Sequence, residues 1–287
     1  MARPTVPHSS DFAFPVTMQP LTLPGGHQTG FWSPTREING VPKALGVTSE
    51  NYGLVLNEEF INKIEEGFTK ANLSGFEREV AVMDHGKRCQ ASWVFRNRTI
   101  KVRKVGDQLA FKVTARNSYD GSWRVSLIDT VERLVCTNGA VRSEKGLMLT
   151  GKHTARLDIG RIVGGLDAML KRFETWAADL DLLVLPITQA EGYHILNHAQ
   201  DQQIISGSTR EGILGYWNSP RRVEDQDRTL YNLWNAGTEY LTHVARRERF
   251  EFSETVNSEL TTWMMGLGRD SGRLSKVRQP LEELAVN

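Results

Sequence analysis

Cysteine is scarce in this chain, with two residues, Cys89 and Cys136, in 287. Nothing therefore suggests a disulfide framework, and reduced thiols in the cytosol are the expectation. No run of about 18 apolar residues is present, which argues against a membrane-spanning helix. The N-terminal stretch MARPTVPHSSDFAFPVTMQP has neither a sustained apolar segment nor a charged region leading into one, so it does not read as a secretory signal. No GxxxxGK[ST] motif occurs, and Gly164-Gly165 does not fit GxGxxG, so neither an ATP-driven motor core nor a dinucleotide fold is expected. Acid is missing from one place in particular. The run KRCQASWVFRNRTIKVRK, from Lys87 to Lys104, holds seven Lys or Arg and not one Asp or Glu.

That local absence stands against a formal net charge of only +1 for the whole chain. Residues 1–86 carry a net −4, residues 87–156 a net +10 and residues 157–287 a net −5. A strongly positive middle between acidic flanks is the electrostatic footprint of an anionic partner. The remaining composition, 39% hydrophobic and 24% charged, is that of a globular protein with a proper core.

Residues 1–50 are rich in Pro, Gly, Thr and Ser, with LPGGHQTGFWSP reading as turns, and are expected to form an irregular arm, one able to clasp another subunit. In NEEFINKIEEGFTKANL, Phe60, Ile61, Ile64 and Phe68 recur at helical spacing after Asn57 as a candidate N-cap. From about residue 79 to 142 the period changes to two. Ala91, Trp93 and Phe95 share one face, and Leu109, Phe111, Val113 and Ala115 another, while Trp123, Val125 and Leu127 alternate with Arg124 and Ser126. Gly106-Asp107 and Tyr119-Asp120-Gly121 mark the hairpin turns of an antiparallel meander. The segment DIGRIVGGLDAMLKRFETWAADLDLL then carries a wide apolar stripe, so a long helix is expected on the apolar side of the sheet. Shorter helices follow near 210–218, 228–247 and 254–266. The fold class is thus α+β: an antiparallel β-meander backed by a long helix, with a C-terminal helical region. It divides into an arm (1–50), a core with a basic sheet (51–190), a helical region (191–266) and a loosely held polar tail (267–287).

This pattern gathers Arg96, Lys101, Arg103, Lys112, Arg116 and Arg124 on the outward face of the sheet, with Arg98 at a turn. Like charges on neighbouring strands repel, so the gathering costs stability unless an anion is present. Tyr119, in the turn SYDGS, is the candidate for an exposed ring that stacks on a base. Trp93, Phe95, Phe111 and Trp123 read as core.

The other constellations are weaker. His194 and His198 share a helix face, but HILNH lacks the Glu of the metalloprotease motif, and a zinc site needs a third ligand. Glu239 and His243 read as a surface i, i+4 pair. Asp84, His85 and His153 serve as acid/base groups only if a pocket unites them. Cys136 reads as an inert core thiol. No metal or cofactor is called for.

Three segments, ARNSYDGSWRVSL, then RLVCTNGAV followed closely by GKHTARLD, then RTLYNLWNAGTEYLTH, appear in order over roughly residues 50–250. Together they resemble the phage/plasmid-like family known as domain of unknown function 932, with Tyr119 standing where that family commonly has His. The resemblance implies a mobile-element protein acting on nucleic acid. It also draws attention to Cys136 and Asn138, but VCTNG reads as a buried strand ending at an Asn-Gly turn. A meander backed by a helix is similar in architecture to single-strand annealing proteins, a fold-level analogy. The resulting expectation is an oligomeric, cytoplasmic protein that binds single-stranded nucleic acid, DNA first, through Arg96, Arg98, Lys101, Arg103, Lys112, Arg116, Tyr119 and Arg124, and promotes annealing without ATP. An enzyme acting on a nucleic-acid or phosphorylated substrate through His85, His153 or Cys136 is one alternative. An adaptor docking an acidic protein is the other.

Overall fold

The computed structural model describes residues 12–134, 139–140, 149–244 and 250–281. It is α+β with antiparallel sheets, and it divides into two compact units. The first comprises Met1–Asn97, Lys112–Asp129 and Leu147–Lys171, and the second Arg98–Phe111, Thr130–Gly146 and Arg172–Asn287. Cys136 and Asn138 lie outside the described residues.

From Thr17 onward the N-terminal segment is not irregular. Strands β1 (Thr17–Thr22), β2 (Gln28–Ile38), β3 (Val41–Ala44) and β4 (Thr48–Ser49) form a sheet of order β1-β2-β3, with β4 also pairing β2. The Gly and Asn residues that read as loop are its hairpin turns: Gly25 and Gly26 have φ of 95° and 86°, and Asn39-Gly40 has φ of 52° and 75°, the signs of a type I′ turn. These strands escape a period-two reading because β1 and β3 are mostly exposed and so carry no apolar alternation. Pro20 and Pro42, on edge strands, strengthen the impression of loop.

The larger sheet has the order β10-β8-β7-β6-β5, with β9 (Gly139–Ala140) pairing β8. Its strands are β5 (Glu77–Met83), β6 (Arg88–Lys101), β7 (Gln108–Ser118), β8 (Val125–Arg133) and β10 (Leu149–Gly151). Trp93, Phe95, Val113, Val125 and Leu127 are buried on its apolar side, as their alternation requires. Helix α1 (Asn57–Lys70) packs there in the first unit, where Phe68 meets Trp93 and Phe95 edge-on at 5.3 and 5.0 Å. Asn57 is not the cap but the first helical residue, following Leu56.

The apolar stripe expected to form one helix forms two, α2 (Ile159–Val163) and α3 (Leu166–Asp181). The break falls at Gly164-Gly165, where a Cβ on Gly165 would lie 2.1 Å from Leu149 Cδ1. In the second unit Phe173 of α3 packs against Phe111 of β7 at 5.1 Å, so the helix does back the apolar side of the sheet there.

Helices α4 (Gln189–Asp201), α5 (Gly207–Asn218), α6 (Leu230–His243), α7 (Phe250–Arg269) and α8 (Ser271–Val277) complete the second unit. The supposed loose tail is docked as far as Gln279: Leu274 and Val277 are buried, Arg278 Nη2 donates to Pro186 O at 2.7 Å, and His198 Nε2 sits 3.1 Å from Gln279 O. Helix α6 is buried along most of its length, and Glu239 on it is 4% exposed, not a surface residue.

A buried charge cluster locks this unit. Arg133 is 3% exposed; its Nη2 meets Asp107 Oδ2 at 2.6 Å and its Nη1 donates to Asp225 Oδ1 at 2.7 Å. Tyr231 donates to Asp107 Oδ2 at 2.8 Å, and Asn235 Nδ2 to Asp225 Oδ1 at 3.3 Å. Burial on its own favours a neutral guanidine, but the neighbouring carboxylates outweigh it and hold Arg133 charged. Burial and Asp107 together push the Tyr231 hydroxyl well up. Removing one partner of such a cluster strands a buried charge. Arg133→Met is therefore expected to lower the unfolding free energy by about 3–5 kcal/mol, read as a shift of the urea midpoint; an unchanged midpoint would show the cluster to be dispensable.

Candidate nucleic-acid interface

The outward face of the larger sheet is not an open cationic platform. In the first unit Gln90, Ser92, Thr114 and Ser126, on that face, are all buried, and Ser92 and Thr114 hydroxyls lie 3.2 Å apart. Acid also shares the face. Register pairs Glu77 with Val94 and Glu79 with Ser92, so both glutamates project on the same side as Arg96. Alternation showed which residues share a face but not that the face would be covered, nor that β5 would bring carboxylates to it.

The cations are sorted accordingly. Arg96 is exposed and donates through Nε to Glu77 Oε1 at 2.8 Å. Lys112 and Arg116 are half-buried; Arg116 donates through Nε to Gln90 Oε1 at 3.0 Å and stands 5.4 Å from the Trp123 ring centroid. Arg88 stands over the same ring at 5.2 Å. Arg124 is exposed just ahead of β8.

Tyr119 is not an exposed ring. It is 0% exposed, its hydroxyl accepts from Asn57 N at 3.0 Å, and it packs with Val16 and Leu45. The covering residues come from the N-terminal segment, so nothing in SYDGS itself reveals the burial. Burial pushes its hydroxyl pKa up, removing any acid/base use near neutrality.

In the second unit, Arg98, Lys101, Arg103 and Lys104 are exposed on the β6–β7 hairpin. Val102 is 0% exposed, whereas Lys101 and Arg103 on either side of it are exposed. The tip is held tightly: Val102 N donates to Asp107 O at 2.9 Å, Gly106 N to Val102 O at 2.7 Å, and Gly106 takes a φ of 83°. Lys104 fastens the tip to the end of α3, its backbone N reaching Asp181 Oδ1 at 3.1 Å and its Nζ reaching Asp181 O at 3.0 Å. Lys101 and Arg103 have no acidic partner among the described residues.

Of the residues considered for catalysis, Cys136 lies outside the described residues. His85 is exposed in the turn between β5 and β6, with a φ of 60°. Burial pushes the Cys89 thiol up to about 12, which leaves it inert. Among the described residues, no group of three or more His, Cys, Asp or Glu is placed to hold a metal ion. A cavity beside Asp225, Asn232 and Glu239 has a volume of about 10 Å³, on the order of one water. No helix among the described residues is long and apolar enough to cross a membrane.

His153 has a structural setting of its own in the first unit. Its Nδ1 lies 3.2 Å from Gly53 O, and because a carbonyl only accepts, Nδ1 carries the proton. Its ring stacks on Tyr52 at 4.9 Å and 12°, and Tyr52 donates to Ser118 O at 2.7 Å. Tyr52 thus ties the Ser118 turn to the His153 loop, a role with no local signal in NYGLVLN. Burial holds the His153 pKa below the ordinary value, so the imidazole is neutral at neutral pH.

A base whose folded-state pKa is depressed is protonated more readily when unfolded. His153 therefore contributes stability above the ordinary histidine pKa of about 6.5, and that contribution is lost as pH falls below it towards the folded-state value. Denaturant midpoints measured from pH 7.5 to 5 are expected to fall less steeply in His153→Asn than in the parent. Parallel curves would remove His153 from the acid sensitivity of the fold.

No solved structure matches this chain. Residues 44–265 match the family described as Domain of unknown function (DUF932), a span that contains every expected site residue. Matched over most of its length, the chain belongs to that family of unknown function.

Proposed function

We propose that this protein binds single-stranded nucleic acid without sequence preference, and that the β6–β7 hairpin is the contact. The observation that carries the reading is the pair Lys101 and Arg103, exposed, without acidic partners among the described residues, and set on a tip that Lys104 fastens to Asp181. Two unpaired cations on a fixed support lose little side-chain order when a phosphate arrives. Phosphate contacts supply most sequence-independent affinity, and a narrow hairpin can follow a flexible strand. In this reading the protein acts in the cytoplasm as an oligomer, on DNA of a mobile element, and strand annealing follows from holding two strands extended, with no nucleotide cofactor.

The sheet face has no part in this contact. Its centre is buried, and Arg96 is already engaged by Glu77. Tyr119, buried, has no ring to offer a base.

Binding of a fluorescent single-stranded oligonucleotide to the full chain, measured across salt concentrations, tests the assignment. With four phosphates contacted, log K is expected to fall against log salt with a slope of about −3. The Lys101→Ala/Arg103→Ala variant is expected to make that slope shallower by about 1 to 1.5, one increment for each lost phosphate contact. Equal affinity and slope in the variant would remove the hairpin from the interface, and no binding at low salt would sink the nucleic-acid reading.

A further inference from the structure

The first unit gathers cations that the hairpin does not account for. Strands β8 and β10 pair Leu127 with Leu149, Ser126 with Thr150 and Val125 with Gly151. Arg124 and Lys152 are therefore the first residues beyond the ladder on its two strands. Both are exposed, and neither has an acidic partner among the described residues. Arg156 is a third such cation. It lies in a compact turn in which Thr154 N donates to Lys152 O at 2.8 Å and Leu157 N to Thr154 O at 2.9 Å.

The loop that carries Lys152 and Arg156 is pinned. His153 Nδ1 donates to Gly53 O at 3.2 Å, and its ring lies flat on Tyr52, which is itself bonded to Ser118 O. Gly53 approaches so closely that a Cβ there would stand 2.2 Å from Thr154 O. Side chains on a backbone held in this way keep their bases in register, which lowers the ordering cost of binding. The nearby carboxylates are engaged: Asp120 Oδ1 accepts from Ser122 N at 2.9 Å and from Ser122 Oγ at 2.5 Å, and Asp158 Oδ1 accepts from Arg161 N at 3.2 Å. Arg124 and Lys152 thus end two paired strands, and Arg156 follows on the pinned loop, while Asp120 and Asp158 are held by their own chain neighbours.

We infer that Arg124, Lys152 and Arg156 form a phosphate-binding site at the β8–β10 junction, distinct from the hairpin. A guanidinium presents paired donors that match phosphate oxygens, and an ammonium adds a compact point charge, so the set suits a phosphate group better than a carboxylate. The group can be the terminal phosphate of a nucleic-acid strand or a phosphodiester within it; the chemistry of recognition is shared. The site stands on residues other than Lys101 and Arg103, so it survives or fails independently of the proposed hairpin contact.

The full chain is titrated calorimetrically with inorganic pyrophosphate, then with a tetranucleotide carrying a 5′-phosphate and with the same tetranucleotide carrying a 5′-hydroxyl. Saturable pyrophosphate binding is expected, weakened by about tenfold in Arg124→Gln/Lys152→Gln and unchanged in Lys101→Ala/Arg103→Ala. Both replaced side chains are exposed, so the urea midpoint of the Gln variant should equal that of the parent, and this is measured alongside. Preference for the 5′-phosphorylated strand, lost in the Gln variant, assigns the site to a terminal phosphate. Equal binding of both strands, lost in the same variant, assigns it to the backbone. Equal pyrophosphate affinity in parent and Gln variant overturns the inference, as does the absence of pyrophosphate binding or an equal loss in the Lys101→Ala/Arg103→Ala variant.

Discussion

A cation taken out of water must find an anion or a strong acceptor, and that constraint sorts the positive charge of this molecule. Arg133 is buried because Asp107 and Asp225 flank it, with Tyr231 and Asn235 completing the cluster. Arg116 is half-buried with Gln90 as acceptor and the Trp123 ring beside it. Lys101, Arg103, Arg124, Lys152 and Arg156, with no such partners among the described residues, all stay in water. A net +10 over residues 87–156 is thus not one surface but several environments, and only the exposed ones are open to an outside anion.

Rigidity distinguishes those exposed cations from ordinary surface charge. The hairpin tip is closed by two backbone bonds and tethered by Lys104 to Asp181. The Lys152 loop is pinned through Tyr52, His153 and Gly53. An exposed lysine on a mobile chain gives up rotamer and backbone freedom on binding, whereas on a fixed support only the side chain is ordered. The aromatic stack of Tyr52 on His153 therefore matters for what it positions, while His153 itself stays neutral and bonded to a carbonyl.

The interior was readable where the signal was local. Phe68 on its helical stripe and Trp93 and Phe95 on their period-two strand meet as those periods require. The turn at Gly106-Asp107 is where the chain reverses. Reading failed where exposure erased the period, as in the N-terminal sheet, and where glycine packing broke a stripe, as at Gly165 against Leu149. It failed again at Tyr119, whose covering residues Val16 and Leu45 come from a distant part of the chain. For the candidate site, Arg98, Lys101, Arg103 and Arg124 were legible as charges, and Tyr52 was not, because its role lies in bonds to Ser118, 66 positions away, and a ring stack on His153.

The sequence by itself determined the alternating segments of the larger sheet, the apolar stripes of the helices and the supply of positive charge, because each follows from residues within a few positions of one another. Tertiary structure alone decided which face of the sheet was covered and which cations were neutralised. Side-chain alternation assigns residues to opposite faces but does not say which face meets water. The partners that settle it are remote: Arg133 meets Asp225 across 92 positions, and His153 meets Gly53 across 100.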